Sequence, residues 1–197
     1  MEQGNGLHDK RVVILGGSSG IGLAVAEQAA SQDAKVVVAS SNAEQVEKAI
    51  ESLGENAQGR TLDVADEQAV ETLFAKLGAF DHLVFTAGDG LHLRNLAATA
   101  LKQARHAFEL RYWAALAAIK YGSKNIRKGG SIVLTTGVAG RPPQKGWVVA
   151  ASVCGTIEAL TRTCPGIGAD TRQRGVSGSR SDEPLAEHDC GRTGASL

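Results

Sequence analysis

The sequence predicts an α/β fold built on a parallel, doubly wound sheet. Short apolar runs alternate with longer stretches in which apolar residues recur at helical spacing. The first apolar run, residues 12–15, leads through the glycine-rich stretch Gly16–Gly22 directly into the first helical pattern. A regular alternation of this kind is typical of a parallel sheet whose strands are joined by crossover helices.

The glycine-rich stretch is the first candidate binding site. We expect Gly16 to permit a tight turn, Gly20 to let the backbone approach a ligand, and Gly22 to let helix and strand pack closely. The helix begins near Ser19, and its first N–H groups have no partner within the helix. A pyrophosphate fits such a positive helix end. The candidate cofactor-binding residues here are Gly16, Ser18, Ser19, Gly20, Ile21 and Gly22. The alternative is a tight turn without a ligand.

The next elements follow from apolar periodicity and from glycines. After the first helix, residues 19–30, a strand is predicted at 35–39 and a helix at 43–53 that Gly54 ends. A third strand is predicted at 57–62, an amphipathic helix at 66–77 and a fourth strand at 82–85.

The second half of the chain continues the alternation. The pattern of residues 96–126 predicts a short helix that continues into a long one. The alanine-rich section of this region, 114–119, suits close helix packing. The pair Gly129-Gly130 is expected to stop this helical region before a fifth strand at 131–136. A last helix of small residues is predicted at 147–163.

Composition excludes several classes of partner. Lys+Arg and Asp+Glu both number 21 in 197 residues, and this zero formal net charge argues against a nucleic-acid partner. No apolar run approaches membrane-spanning length, so no membrane partner is expected. The three cysteines, Cys154, Cys164 and Cys190, lack metal-binding spacing, so no metal site is expected. The same cysteine pattern favours a reducing compartment, and segment 1–11 is polar. Together these two features indicate a soluble, cytoplasmic protein.

The end of the second predicted strand bears on the choice of cofactor. NAD-binding proteins place an acid near this point, where it accepts hydrogen bonds from the ribose hydroxyls. Here the residues are Ser40, Ser41 and Asn42. Because no carboxylate repels a 2′-phosphate, the cofactor is predicted to be NADP(H) rather than NAD(H). An equally compatible interpretation is that these polar residues cap the next helix.

The glycine spacing Gly-x-x-x-Gly-x-Gly, the pair Asp63-Val64 and the triplet Thr86-Ala87-Gly88 together resemble the short-chain dehydrogenase/reductase family. The resemblance covers residues 10–163 and implies a Rossmann-type sheet with strand order 3-2-1-4-5. It places Asp63 and Val64 beside the adenine ring, and Thr86, Ala87 and Gly88 against the cofactor's ribose. Alternatively, Asp63 caps the helix that begins near residue 66.

The resemblance also implies a carbonyl or alcohol substrate and four catalytic side chains: Asn, Ser, Tyr and Lys. In this chain the Asn position is Arg111, and the Ser position is Thr136, or Gly137 in another alignment. The Tyr and Lys positions are Val149 and Val153, and valine has no proton to transfer. The sequence therefore predicts a divergent oxidoreductase with impaired chemistry, or alternatively a non-catalytic nucleotide-binding module or a non-functional fragment.

Six other polar side chains are candidate replacements for the missing acid. None has the required spacing to a second group, and we interpret them as packing or solvated residues: His92, Arg94, Tyr112, Tyr121, Arg141 and Lys145. The resemblance further implies a homo-oligomer formed through the helices near 100–127 and 146–163.

The last segment, 164–197, has a different character from the Rossmann domain, 10–163. It holds six glycines, four arginines and five acids but no aromatic residue, a composition that predicts disorder. Reading the codons of residues 163–185 in a shifted frame permits LALELAPIRVNAVSPGVVRTNLW, which resembles the sixth strand and Pro-Gly loop of the family. We therefore interpret this tail as frameshifted, with strands six and seven missing and no site role for His188 or Cys190.

Overall fold

Five parallel strands form one sheet in the computed structural model, which describes residues 6–90, 93–140 and 145–164. The strand order is β3-β2-β1-β4-β5, as predicted. The strands are β1 Arg11–Leu15, β2 Lys35–Ser40, β3 Ala57–Thr61, β4 Phe80–Phe85 and β5 Ile126–Leu134. The chain order reverses direction in the sheet between β1 and β4, and a crevice opens at this point in doubly wound sheets.

Six α-helices connect and flank the strands of the described chain. They are α1 Gly20–Ala30, α2 Ala43–Leu53, α3 Glu67–Leu77, α4 Leu101–Phe108, α5 Ala114–Gly122 and α6 Val148–Thr163. A π-helical segment, Glu109–Trp113, joins α4 to α5. Most of these bounds lie within two residues of the sequence prediction. The π-helical segment had no counterpart in the prediction.

The core lies on both faces of the sheet, because successive strand residues point to opposite sides. Val12 and Ile14 of β1 pack with residues of α1 and α2, while Val13 and Leu15 pack with residues of α3, α5 and α6. All four of these side chains are at most 3% exposed. This double burial explains why the first strand is an uninterrupted apolar run.

The region around Gly129 and Gly130 differs from the sequence prediction. The helix ends at Gly122 and a 3-10 turn, Ser123–Asn125, and both glycines lie within β5 instead of stopping a helix. Gly129 has φ +83°, and a Cβ on Gly130 would overlap the carbonyl oxygen of Asp81. The pairing of β4 with β5 is irregular at this point. A glycine pair that suggests a helix stop can equally serve a strand irregularity.

Asp81 is the main buried charge at the amino end of the sheet. It is 7% exposed and accepts hydrogen bonds from the Arg11 N–H at 2.8 Å and from Arg127 Nη1 at 2.7 Å. Burial opposes its ionisation, but these two donors and the charge of Arg127 outweigh burial and hold the pKa of Asp81 below its ordinary value. The carboxylate therefore ties β4 to both β1 and β5.

We expect Asp81→Asn to lower the free energy of unfolding by about 1–3 kcal/mol at pH 7, since it weakens charge-assisted bonds in a buried place. A lowered folded-state pKa gives stability that is present above the unfolded value, about 3.9, and is lost as pH falls below it. Urea unfolding at pH 7 and pH 3.5 measures this difference, which should shrink at the lower pH. Asp9→Asn alters an exposed ion pair with Lys35 and is the control. It should change the free energy of unfolding little at either pH. An Asp81→Asn effect that is equal at both pH values contradicts this account.

Strand β5 is an edge strand in the described part of the chain, where it pairs only with β4. Val133 is 49% exposed and lies on the opposite sheet face from Ile132 and Leu134, which pack against the core. The predictions about the tail, including those for His188 and Cys190, lie outside the described residues. A strand edge that is uncovered, as that of β5 is in the described residues, can pair with strands of other molecules and lead to aggregation.

Candidate functional site

A single groove runs along the carboxyl ends of the strands and the start of α1. It brings together residues that are far apart in the sequence, from the glycine turn, the ends of β2, β4 and β5, the π-helical segment and α6. The residues that line it are Gly16, Ser19, Gly20, Ile21, Gly22, Ser40, Ser41, Asn42, Gln45, Leu62, Asp63, Val64, Thr86, Ala87, Gly88, Leu110, Arg111, Thr135, Thr136, Gly137 and Cys154.

The glycine turn packs directly against the end of β4. A Cβ on Gly16, whose φ is +87°, would lie 2.5 Å from the backbone nitrogen of Ala87. A Cβ on Gly22 would overlap the carbonyl oxygen of Gly16. The Thr86 hydroxyl donates to the carbonyl oxygens of Leu15 and Gly16, both at 3.1 Å. Thr86 therefore fixes the turn through its side chain while it lines the groove.

Gly20 differs from these two glycines because it faces open space. Its φ is +53°, and a Cβ built on it would meet no atom within 4 Å. Ser19, the N-cap residue of α1, makes no side-chain capping bond, and the first turn of α1 contains no acidic residue. The partial positive charge of this helix start is thus directed at the groove without a carboxylate to offset it. This arrangement can hold a phosphate group.

The β2 end of the groove is neutral and polar. Asn42 Oδ1 accepts a hydrogen bond from the Gln45 N–H at 3.0 Å, which confirms the capping interpretation for Asn42. Ser40 and Ser41 line the groove beside it, and the described residues at this end include no cation. The side chains can donate hydrogen bonds to a ribose or phosphate oxygen, but they supply no charge.

The contacts of Asp63 exclude one of its two interpretations, and its place beside the adenine stays a prediction. Asp66 is the N-cap of α3 and accepts from the Ala69 N–H at 3.1 Å, so the capping role suggested for Asp63 was wrong. Asp63 instead accepts from the Ala65 N–H at 2.9 Å, within a local turn, and lines the groove together with Val64.

Ser18 is the one predicted cofactor residue that does not line the groove. It is 7% exposed and lies within the turn. Sequence alone does not separate it from Ser19, because the two serines are adjacent and chemically identical.

The β5 end of the groove carries Arg111 and Thr136, which the sequence analysis assigns to the Asn and Ser positions. Thr136 Oγ1 donates to the Cys154 carbonyl oxygen over a long 3.5 Å, and Thr135 Oγ1 donates to the Phe85 carbonyl oxygen at 3.1 Å. The Arg111 guanidinium lies against Gly88, and its Nη2 donates to the backbone carbonyl of Asp89. The groups that face this end are therefore a cation, hydroxyls and a thiol.

Helix α6 places the two assigned valines and Cys154 in different surroundings. Val149 and Val153 form a small cluster with Ala107, at the side of α4. Cys154 lines the groove, and Ala150 lies in one cluster with it. All four side chains line a small apolar cavity behind the groove. The assignment of Val149 and Val153 to the Tyr and Lys positions stays a prediction. None of the four side chains supplies a phenol or an ammonium group.

None of the replacement side chains that the structure describes lines the groove. Tyr121 donates to Glu67 at 2.7 Å on the exposed surface, and Lys120 donates to both partners. Tyr112 stacks edge-on against Trp113 at 5.0 Å between ring centroids. Arg94 pairs through its backbone with Trp147. His92 and Arg141 lie outside the described residues.

Sequence reasoning missed several residues of the groove. Gln45, Leu62, Leu110, Thr135 and Cys154 were not singled out as lining residues. Thr135 had a usable signal, since it directly follows an apolar run at the end of a predicted strand. The others depend on how helices and loops turn toward the strands.

Within the described ranges, His, Cys, Asp and Glu side chains form no group of three that could hold a metal ion. No described helix combines the length and apolar character needed to cross a membrane.

Comparison with known proteins matches this chain to one family. The family described as short chain dehydrogenase matches residues 10–176. The short-chain dehydrogenase/reductase ATR9 of Stachybotrys chlorohalonatus is 34% identical over 171 residues, which cover 79% of this chain and 67% of the relative.

Two solved structures are similar in fold and sequence. MalC reductase/Diels-Alderase from Malbranchea aurantiaca matches with a TM-score of 0.71 and 31% identity, over 79% of this chain and 68% of that structure. A small-chain dehydrogenase in complex with NADPH matches with a TM-score of 0.65 and 35% identity, over 78% and 63% of the two chains. The chain spans about two thirds of the length of the curated relatives that it matches.

Proposed function

The chain belongs to the short-chain dehydrogenase/reductase family, and we propose that its groove binds NADP(H) in preference to NAD(H). The observation that carries nucleotide binding is the open start of α1 at Gly20, with no acidic residue in its first turn. That helix end suits the pyrophosphate. The similar structure solved with NADPH supports the class of ligand.

Different residues of the groove bind different parts of the dinucleotide. The N–H groups at Ser19–Gly22 hold the pyrophosphate, and Asp63 and Val64 flank the adenine. The triplet at Thr86–Gly88 contacts the ribose on the nicotinamide side. The bound cofactor supplies or accepts a hydride. The residues of this chain orient it and cover one side of it.

The preference for NADP(H) rests on the absence of a carboxylate among Ser40, Ser41 and Asn42. A carboxylate there repels a 2′-phosphate and accepts hydrogen bonds from a free 2′-hydroxyl. The Ser40 and Ser41 hydroxyls and the Gln45 amide lie where they can donate to the phosphate oxygens.

We expect Ser40→Asp to weaken NADPH binding at least tenfold without weakening NADH binding, because the new charge repels the 2′-phosphate of NADPH but can accept a hydrogen bond from the free 2′-hydroxyl of NADH. Isothermal titration with both nucleotides measures this. Ser52→Asp adds the same charge on an exposed residue of α2 away from the groove and is the control. If Ser40→Asp weakens both nucleotides equally, the assignment of this end of the groove is wrong.

For catalysis, we propose an oxidoreductase of carbonyl or alcohol substrates whose turnover is impaired. The Thr136 hydroxyl can donate a hydrogen bond to a substrate oxygen, but the described groove holds no Tyr or Lys beside it. A non-catalytic nucleotide-binding module is the second candidate, favoured by valines at positions 149 and 153 and by alanine and cysteine at 150 and 154. NADPH-dependent turnover on a panel of carbonyl compounds separates the two candidates.

We further propose that the chain forms a homo-oligomer through the helices near 100–127 and 146–163. Leu101, Trp113 and Val148, in these two stretches of the chain, are 65%, 54% and 40% exposed, respectively, so both stretches present apolar surface to solvent. Sedimentation analysis tests this proposal.

A further inference from the structure

Arg111 occupies an unusual place in the backbone. It is the central residue of the π-helical segment Glu109–Trp113, which interrupts an otherwise continuous run of helix from α4 to α5. Such segments widen one turn of the helix and are frequent at functional sites. Here the neighbouring Leu110 packs against the core, while Arg111 extends to the end of β4.

The guanidinium is held in one place by its contacts. A Cβ built on Gly88 would lie 2.7 Å from Arg111 Cζ and 2.9 Å from both terminal nitrogens, so the arginine lies flat against glycine backbone. Its Nη2 donates to the Asp89 carbonyl oxygen, and its Nε lies 3.7 Å from Asp89 Oδ1. The Arg111 side chain is 31% exposed, so it is partly desolvated but accessible.

Arg111 also lies at a boundary between two spaces. It lines both the cofactor groove and the small cavity behind it. That cavity is mainly apolar, with Phe85, Ala107, Val153 and Ile157 among its walls, and Asp89, which pairs with Arg111, also lines it. Among the described residues that line the two spaces, Arg111 is the sole cation. Thr136, at the proposed reacting end, lines both spaces as well.

We infer that Arg111 anchors a negatively charged oxygen group of the substrate, so that the substrate class is a carbonyl compound with a carboxylate beside an apolar body. The inference rests on the proposed function, since it places the substrate next to a bound nicotinamide. A guanidinium suits this task because it is planar and offers two parallel donors to a carboxylate. The apolar body enters the cavity, and the carbonyl lies toward the Thr136 hydroxyl.

The test compares two probes that differ only at the anchored group. 2-Oxohexanoate carries a carboxylate where hexan-2-one carries a methyl group, and both have the same alkyl chain. With NADPH at saturation, isothermal titration should show that the protein binds 2-oxohexanoate at least tenfold more tightly than hexan-2-one. Arg111→Gln should abolish this preference, while it keeps a single cooperative melting transition and its NADPH affinity stays within about threefold of the unmodified protein.

Each other outcome overturns the inference. Equal affinity for the two probes, no binding of either, or a preference that survives Arg111→Gln shows that Arg111 binds no substrate anion. A tenfold loss of NADPH affinity in Arg111→Gln, with the cooperative melting transition kept, assigns the guanidinium to the cofactor instead. If the unmodified chain binds no NADPH, the proposed function itself fails. If Arg111→Gln does not fold, the unmodified protein is titrated with both probes at several NaCl concentrations. Its preference for 2-oxohexanoate must weaken as the NaCl concentration rises, and a salt-independent preference overturns the inference.

Discussion

Replacing Gly20 with alanine should weaken NADPH binding by about 10–100-fold, equivalent to the loss of about 1.5–3 kcal/mol of charge-assisted hydrogen bonding. The Cβ of the variant points into open groove space at the start of α1, where we place the pyrophosphate. There it keeps the phosphate oxygens from the N–H groups of the first turn. Isothermal titration with NADPH measures the loss.

The matched control is Gly54→Ala. Gly54 also has a positive φ, +80°, and a Cβ there also meets no atom within 4 Å, but it follows α2 and does not line the groove. Backbone strain for an alanine is at least as large at Gly54 as at Gly20. We therefore expect both variants to melt at lower temperature, with NADPH affinity lost only in Gly20→Ala. A similar loss in both variants points to strain, and no loss in Gly20→Ala contradicts the assigned position of the phosphates.

The second large effect concerns the reading frame of the tail, which we propose is shifted near Thr163. Restoring the frame supplies the segment LALELAPIRVNAVSPGVVRTNLW after α6. Its apolar stretch can pair along β5, whose edge is unpaired in the described chain, and can cover Val133. We expect the restored protein to be less prone to aggregation and to bind NADPH at least tenfold more tightly than the unmodified chain.

Turnover should stay low in the restored protein. The residues of α6 at positions 149, 150, 153 and 154 precede the repair and include neither tyrosine nor lysine. A version that stops after Thr163 is the control, and its NADPH affinity should equal that of the unmodified chain. Unchanged affinity after repair contradicts the frameshift proposal. Rapid carbonyl reduction would show that another group supplies the proton, and Thr136, Tyr112 and His92 are then the first residues to substitute.

The first half of the fold was predictable because its signals are local. Strands β1 and β2 are uninterrupted apolar runs, and α2 and α3 have clear amphipathic patterns with Asn42 and Asp66 as caps. The strand order came from the family resemblance, and the structure confirms it. Most of the groove was predictable for the same reason, since its residues directly follow strands or begin a helix.

The second half was harder for identifiable physical reasons. Helix α6 consists mostly of small and apolar residues, so its periodicity does not fix which face meets the groove, and the positions of Val149 and Cys154 could not be separated. The pair Gly129-Gly130 has the same sequence signal at a helix stop and in an irregular strand. The π-helical turn places Arg111 against Gly88 and Asp89, which are distant in sequence, so local periodicity does not reveal this contact.

The central claim is that the start of α1 holds the phosphates of NADPH, and one measurement on the unmodified chain tests it most directly. Backbone amide shifts of ¹⁵N-labelled protein are followed while NADPH or NADH is added. We predict that the largest shifts occur at Ser19, Gly20, Ile21 and Gly22, and that they saturate at lower concentration with NADPH than with NADH. Shifts confined to residues outside the groove, or no saturable shift with either nucleotide, would contradict the claim.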